Sequence, residues 1–464
     1  MHESVPASGI AAQPPSRKWI IWSVGLAAYL VAVINRSSFS ALGPAAQEHF
    51  SAEATALSVF VVVQLVVYAG WQIPVGILLD RFGISTVIAA GTAVMAVGQL
   101  LLGATDSIPL AILARILVGS GDACIFTAVV RLVQDWFTLG QMPVVNQLTG
   151  LSGQVGQLLA VAPLAALVAG LGWFAGFAAL AAVGAAVLVL VLLVLRDAPG
   201  AGTILERITG ANRTTGRDVA AARAGQRTDS VVTDVLPVIG PESTGVLPAM
   251  RSLVRRPGVR LAFWIHFSTV FAMHSFMLLW GTPFMTGGLG YPEATSHLVL
   301  SLTVAASMAG AVLLGPVISR FSAHRVWIAV GGTTAILLSW VLVLAWPCSA
   351  PVPVMSLAVV CTGLGGPLSM IAFDVVRTHA PVRQLGVATG LTNMGGFTAA
   401  LTTVLLVGVL LDAQGAGTPE TYSSAAFRWA MAVQVPVWLL GLTMMLIERP
   451  KARREHLKRL HRAR

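Results

Sequence analysis

Gly76–Thr86 reads GILLDRFGIST, and the layout of the chain follows from it. One long apolar run ends at Leu79, Asp80, Arg81 and Gly83 make a tight polar turn, and a second apolar run opens at once. The stretch returns at Gly315 as GPVISRFSAHRVW. Gly76, Arg81 and Phe82 are answered by Gly315, Arg320 and Phe321 at a single offset of 239 residues. Looser echoes support it: VVR at Val129–Arg131 recurs at Val375–Arg377, and TGL at Thr149–Leu151 recurs at Thr389–Leu391. Matching landmarks in two halves mark a duplicated unit.

Composition excludes a soluble domain. Of 464 residues, 56% are hydrophobic and only 10% charged, against about 25% charged in a typical globular protein. The apolar runs reach the ~20 residues needed to cross ~30 Å of hydrocarbon. The chain is therefore expected to be an all-α polytopic membrane protein. A net charge of +10 would point to nucleic acid in a soluble protein. Here it reflects basic residues gathered in loops that stay in the cytoplasm, and no nucleic-acid partner is expected.

Twelve spans are predicted in two six-helix bundles. The first, Trp19–Leu42, is too long for the core of a cleaved signal peptide and reads as a retained helix. Leu57–Leu79, Val87–Ala104, Pro109–Val130, Val144–Ala169 and Trp173–Leu195 complete the first bundle, residues 19–195. Arg260–Met285, Ser296–Ile318, Val326–Trp346, Val352–Val376, Gly386–Leu411 and Phe427–Ile447 make the second, residues 259–447.

Loop charges alternate as twelve spans require. Arg17, Lys18, Arg81, Arg131, Arg320, Arg325, Arg377, Arg383 and the arginine-rich middle segment fall on one side. Glu48, Glu53, Asp106, Glu293, Asp412 and Glu420 fall on the other. Both termini, 1–18 and the basic tail 448–464, are thus expected in the cytoplasm. Lysine is rare beside arginine, a bias of GC-rich bacterial genomes, which suggests a bacterial cytoplasmic membrane. Residues 196–258 are polar, and too poor in large apolar residues to bury a core. They read as a flexible linker.

Several chemistries leave no trace. The three cysteines and nine histidines show no disulfide framework and no metal-ligand spacing, so no metal or cofactor is expected. There is no Walker loop and no nucleophile triad identifiable by spacing, so an enzyme is not expected. Tryptophans near the ends of spans (Trp19, Trp22, Trp136, Trp173, Trp327, Trp346) read as interfacial anchors.

With these features in hand, the chain from Trp19 to about Ile447 resembles the major facilitator superfamily. Twelve spans, a long loop after the sixth and GxLxDRxG at Gly76–Gly83 carry the resemblance. It implies a monomeric transporter of small molecules. It also implies that Gly76, Asp80, Arg81 and Gly83, with Arg320 in the second copy, form a conformational gate between the halves. Two departures stand out: the basic pair that often follows the last glycine is here Ile84–Ser85, and Ser319 stands where the repeat would place an Asp.

Charge inside a membrane helix is costly and usually functional. Arg36 lies deep in the first span, in NRSSFS at Asn35–Ser40. Its permanently charged fork suits a carboxylate or phosphate. Alternatively it pairs permanently with an acid on a neighbouring helix. In the fourth span, ARILVGSGDA sets Arg115 and Asp122 seven residues apart, two turns along one face. A buried carboxylate beside an arginine is poised to load and release a proton. A fixed bridge from Arg36 or Arg115 is the alternative. Gly119 and Gly121 permit close helix approach.

These stretches resemble the anion:cation symporter branch, whose members typically show DRxxLS and RxxxGxxEA. That resemblance implies Arg36 as substrate contact, Asp122 as protonation site and Arg115 as modulator of the acid. It departs at Asn35, where an amide replaces an acid. The repeat offset places His274 opposite Asn35, with His266 two turns earlier. Either histidine is a candidate replacement in the proton path, or a neutral polar-cavity residue. Asn35, Gln64, Tyr68, Gln154, His274 and Asn393 are further candidate substrate contacts. Gln72 and Gln157 could add hydrogen bonds, and any of these amides can equally be helix-packing glue. The function expected is proton-coupled uptake of a small organic anion by alternating access. Efflux of drugs or metabolites is the alternative, and a non-transporting receptor lacks a visible output domain.

Overall fold

A computed structural model describes residues 16–41, 46, 49–50, 54–215, 218, 246–381, 384–416 and 421–463. Glu48, Glu53, Arg383, Glu420, residues 219–245 and the first fifteen residues lie outside the described part.

Among the described residues, twelve long helices run back and forth. In the first bundle they are α1 Ser16–Ala41, α2 Ala54–Phe82, α3 Ile84–Ala104, α4 Ile108–Trp136, α5 Met142–Leu171 and α6 Trp173–Val194. In the second they are α7 from Pro257, α8 Glu293–Arg320, α9 Arg325–Leu344, α10 Val352–His379, α11 Leu385–Ala413 and α12 from Ser424. Nine of them are, among the described residues, long and apolar enough to cross a membrane on that measure alone. This is a multi-pass membrane protein. Each bundle buries its own apolar core, one around Ile88, Val129 and Val133, the other around Phe271, Trp340 and Trp438.

Helix ends depart from the apolar runs where charges find partners. α4 continues past Val130 to Trp136 because Arg131 pairs with Asp135 along the helix at 3.1 Å, and Trp136 donates its Nε1–H to the Arg196 carbonyl. α12 continues through the basic tail to Ala463. Arg260 holds Glu448 at 2.8 Å, and Arg256 stands 3.9 Å from Glu455, so the extension is seated on the start of α7. α7 is regular over Pro257–Ser275, then widens into π-helical turns at Phe276–Trp280 and Phe284–Gly288. Pro283 has no N–H to donate and crowds the carbonyl four residues back, which favours the wider turn.

The segment expected to be flexible between the halves begins as folded chain. Asp197 accepts from the Ser85 amide and hydroxyl, both at 2.7 Å, capping the start of α3. Arg207 donates to the same Ser85 hydroxyl at 2.7 Å. A capping box at Thr203 and Glu206 starts the short helix Ile204–Thr209. Gly83, at φ 86°, makes the turn that exposes the α3 N-terminus to Asp197, a backbone region where a Cβ is strained.

The halves meet along α2 with α11 and α5 with α8. Glycine makes the first contact close. A Cβ on Gly76 would stand 2.6 Å from the Val387 Cα, and one on Gly386 2.6 Å from the Gly76 carbonyl. Both contacts lie toward the end of the molecule that carries the α2–α3 turn, here called the basic face.

Candidate functional site

The residues expected to form a gate are the first group. Asp80 receives the backbone N–H of Gly386 at 2.9 Å and of Val387 at 3.0 Å. It therefore caps the N-terminus of α11 from the opposite half, where the helix dipole favours a negative charge. Arg131 lies close enough to act on the Asp80 charge. Arg81 is exposed over the Phe82 ring, 5.3 Å from its centroid, and Arg320 is exposed at the end of α8. Its neighbour Ser319 makes the second cross-half contact, donating to the Gly140 carbonyl at 2.6 Å. Asn146 adds a bond to Asp374 at 3.0 Å, and Gln147 one to the Pro367 carbonyl at 2.6 Å. Asp374 is thus held from the opposite half, while Arg325 and Arg377 of its own half also act on its charge.

Asp80→Ala removes two charge-assisted bonds from this latch, worth about 2 kcal/mol together after solvation. The expected result is a shift of about thirtyfold toward states open at the basic face. Distances between spin labels on α2 and α11 should lengthen at that end.

Mid-membrane, Arg36 of α1 and Asp122 of α4 form an ion pair at 3.3 Å. Glycines put them there. A Cβ on Gly119 would stand 3.0 Å from the Gln64 carbonyl of α2, and one on Gly121 2.5 Å from the Gly91 carbonyl of α3. α4 thus seats deeply enough to bring Asp122 level with Arg36. The two members differ in access: the Arg36 side chain is 22% exposed and that of Asp122 0%. Asp122 Oδ1 has no protein hydrogen-bond partner. The guanidinium lies over the Tyr68 ring, 5.4 Å from its centroid, a cation–π arrangement. Tyr29, two turns before Arg36 in α1, brings a second phenol to the pair.

Behind this pair lies a second buried cluster. Arg115 donates to Gln64 Oε1 at 3.0 Å and to the Asn35 carbonyl at 3.5 Å. Gln99 of α3 donates to Asn35 Oδ1 at 3.0 Å and to Ser38 Oγ at 3.3 Å. The ion pair to Asp122 comes from Arg36, while Arg115 is directed to α1 and α2. Two helical turns separate it from Asp122 along the axis, so its fork reaches across to neighbouring helices instead.

Aromatic contacts carry the site into the other half. Tyr68 meets Phe397 of α11 with ring centroids 4.7 Å apart, and Phe397 meets His274 of α7 at 5.3 Å. Asn393, one turn before Phe397, donates to Gln72 Oε1 at 2.7 Å, which also accepts from Thr127 at 3.1 Å. His274 Nδ1 lies 3.2 Å from the Val270 carbonyl, which can only accept, so Nδ1 carries a proton. His266 is the reverse: its Nδ1 receives the Gly396 N–H at 3.1 Å and cannot carry one. Gln154 of α5 presents a buried Oε1 with no hydrogen-bond partner.

Family comparison agrees with this architecture. The model of the Major Facilitator Superfamily matches residues 25–296 and, overlapping, 262–463. The chain belongs to that family. Members of this transporter family are not enzymes. Among solved structures, this major facilitator is similar to the proton:xylose symporter XylE bound to 6-bromo-6-deoxy-D-glucose, with TM-score 0.67, 15% identity and 93% and 95% of the two chains covered. The human organic anion transporter MFSD10 (TETRAN) gives TM-score 0.64 at 13% identity, covering 93% of this chain and 100% of the other. FucP in the outward conformation gives 0.64 at 14%, covering 92% and 99%. At these identities the likeness establishes the fold.

Curated relatives match over a shorter stretch. The uncharacterized transporter YybO of Bacillus subtilis is 29% identical over 136 residues, which is 29% of this chain and 31% of that one. The probable L-galactonate transporter of Escherichia coli is 29% identical over 138 residues, 29% of this chain and 30% of its own. The matched part spans about a third of each relative.

In this major facilitator, Asn35, Arg36, Gln64, Tyr68, Arg115 and Asp122 form one connected region, and Asn393 and His274 reach it through Gln72, Tyr68 and Phe397. Sequence reasoning missed Tyr29, Gln99, Phe397 and the Asp197–Arg207 clasp. Tyr29 carried a signal, its seven-residue spacing from Arg36 on one helix. Gln99 did not, since a lone amide in an apolar run has no characteristic pattern.

Proposed function

We propose that this transporter performs proton-coupled uptake of a small organic anion through alternating access, as a monomer in a bacterial cytoplasmic membrane with the basic face cytoplasmic. The observation that carries the reading is the Arg36–Asp122 pair, whose cation has an open side and whose acid has none. An anion arriving at Arg36 competes with Asp122 for the same guanidinium. Once displaced, a buried carboxylate without a counterion is too costly to keep charged, so it takes a proton. Protonation in turn releases Arg36 for the anion. By reciprocity, each ligand strengthens the other's binding.

The remaining roles follow from position. Arg36 holds the substrate carboxylate, with Asn35, Gln64, Tyr68, Gln154, His274 and Asn393 as further contacts or supports. Asp122 carries the proton, Arg115 fixes the α1–α2 framework around it, and His274 Nε2 offers a hydrogen-bond acceptor. Asp80 and Gly76 latch the basic face, and residues past 215 link the halves as they rock. The name of the Escherichia coli relative, a probable L-galactonate transporter, supports a sugar acid as the substrate class.

A thermal-shift panel on purified protein tests the reading, setting L-galactonate, D-gluconate and other carboxylates against lipophilic cations. Ligand binding to the native state raises apparent stability. Stabilisation by carboxylates that grows as pH falls is the expected result. Stabilisation by lipophilic cations alone would transfer the case to efflux.

A further inference from the structure

Asn35 directly precedes Arg36, and its side chain is engaged by another amide. Gln99 Nε2 donates to its Oδ1 at 3.0 Å and to its carbonyl at 3.4 Å. Neither partner ionises, so no proton can be carried at this point. Arg36 and Tyr29 face Asp122 from α1, Tyr68 from α2, and Cys124 and Arg115 share its helix. Phenols and thiols are protonated at neutral pH to begin with, and arginine does not release its proton.

The histidines are no better placed. His266 spends its Nδ1 on the Gly396 N–H, so an imidazolium there would break that bond. His274 faces Arg36 and Phe397, where a second cation would meet like charge. Asp80 and Asp374 lie at the basic face, bonded to Gly386, Val387 and Asn146 across the halves. Among the described residues, Asp122 is the acid in contact with Arg36.

We propose that this carrier moves one proton with each monovalent carboxylate, so that the loaded crossing is electroneutral. The proposal rests on the proton-coupled anion reading above. A monocarboxylate brings one negative charge to Arg36, and the proton on Asp122 brings one positive charge. The sum is zero. Membrane voltage then does no work on the loaded carrier, and accumulation follows the pH gradient alone, about tenfold per pH unit. An acid at position 35 would change this: two protons per anion carry one net positive charge inward per cycle, because the loaded site stays neutral while the emptied site, with both acids ionised beside Arg36, is negative and is driven outward by an inside-negative voltage.

The test uses the full chain in proteoliposomes, with radiolabelled L-galactonate and D-gluconate as probes. Uptake is measured under a pH gradient with and without an inside-negative potential set by valinomycin and potassium. An entrapped pH dye gives protons per substrate. The expected result is one proton per substrate and uptake unchanged by voltage. Asn35→Asp, with Gln99 already in place to bond a carboxylate, should make uptake voltage-driven and move the ratio toward two. Voltage-driven uptake with two protons in the unmodified chain would overturn the proposal while leaving anion symport intact. Failure of both acids to move, in net uptake and in exchange, would remove the anion reading and this proposal with it. Should Asn35→Asp not fold, the ratio in the unmodified chain decides alone.

Discussion

Asp122→Asn is expected to abolish accumulation driven by a pH gradient while leaving exchange of labelled for unlabelled substrate. The amide keeps the volume and can still bond Arg36, but it carries no charge to be displaced. Arg36 is then permanently available to the anion, as though Asp122 were always protonated. Binding should become independent of pH, at or above the affinity that the unmodified protein shows in acid. Net uptake against a gradient should fall by about two orders of magnitude, since nothing ties the carrier's return to proton release. Counterflow, in which the substrate drives both directions, should persist. Uptake that kept its pH dependence would place the proton elsewhere.

Arg36→Ala, unlike Asp122→Asn, should weaken binding, and it should also lower stability. A charge-assisted, two-pronged contact to a carboxylate is worth about 3 kcal/mol, so affinity should fall by about a hundredfold. Removing the guanidinium also strands Asp122 without a partner, a change that costs about 3–5 kcal/mol when a buried pair is broken. The two effects separate in the double variant. Arg36→Ala with Asp122→Asn should recover most of the lost melting temperature and none of the binding. Arg36→Lys offers a finer test: it keeps the charge against Asp122 but loses the planar fork. Near-native stability with weakened binding is expected, read by thermal shift and by uptake.

Reading the sequence alone goes far for the membrane architecture, because hydrocarbon leaves few alternatives. A run such as Trp173–Leu195 has one low-energy conformation in a bilayer, and the observed helix differs at its end by one residue. Ends are less legible where partners are remote in sequence. Trp136 and Glu448 extend their helices because of Arg196 and Arg260, and no local pattern announces those contacts. The same limit applies inside the site. Arg36 and Asp122 are conspicuous as charges in apolar runs, but two partners for Asp122 were possible, and the three-dimensional approach of α1 to α4 selects Arg36. The fold after α6 was hidden for another reason. Its composition is that of a linker, yet Asp197 finds the bare N-terminus of α3, left open by the departure at Ile84–Ser85 from the usual basic pair.

The latch shows how a repeat can be legible and still diverge. Gly76 and Gly315 do matching work, each admitting the backbone of the opposite half. Asp80 and Ser319 do not, since one carries a charge to a helix N-terminus and the other donates a neutral bond to a carbonyl. The two repeat-related contacts are therefore unequal: the first carries a charge and the second does not.

The central claim is that the anion and the proton compete for the two members of one ion pair. Proton uptake on binding tests it most directly. Titrating purified protein with L-galactonate by calorimetry near neutral pH, in buffers of different ionisation enthalpy, gives the protons bound per anion. The mechanism predicts a value approaching one for the unmodified protein and zero for Asp122→Asn. An equal value in both proteins would contradict it, and Arg36–Asp122 would stand as a fixed structural bridge.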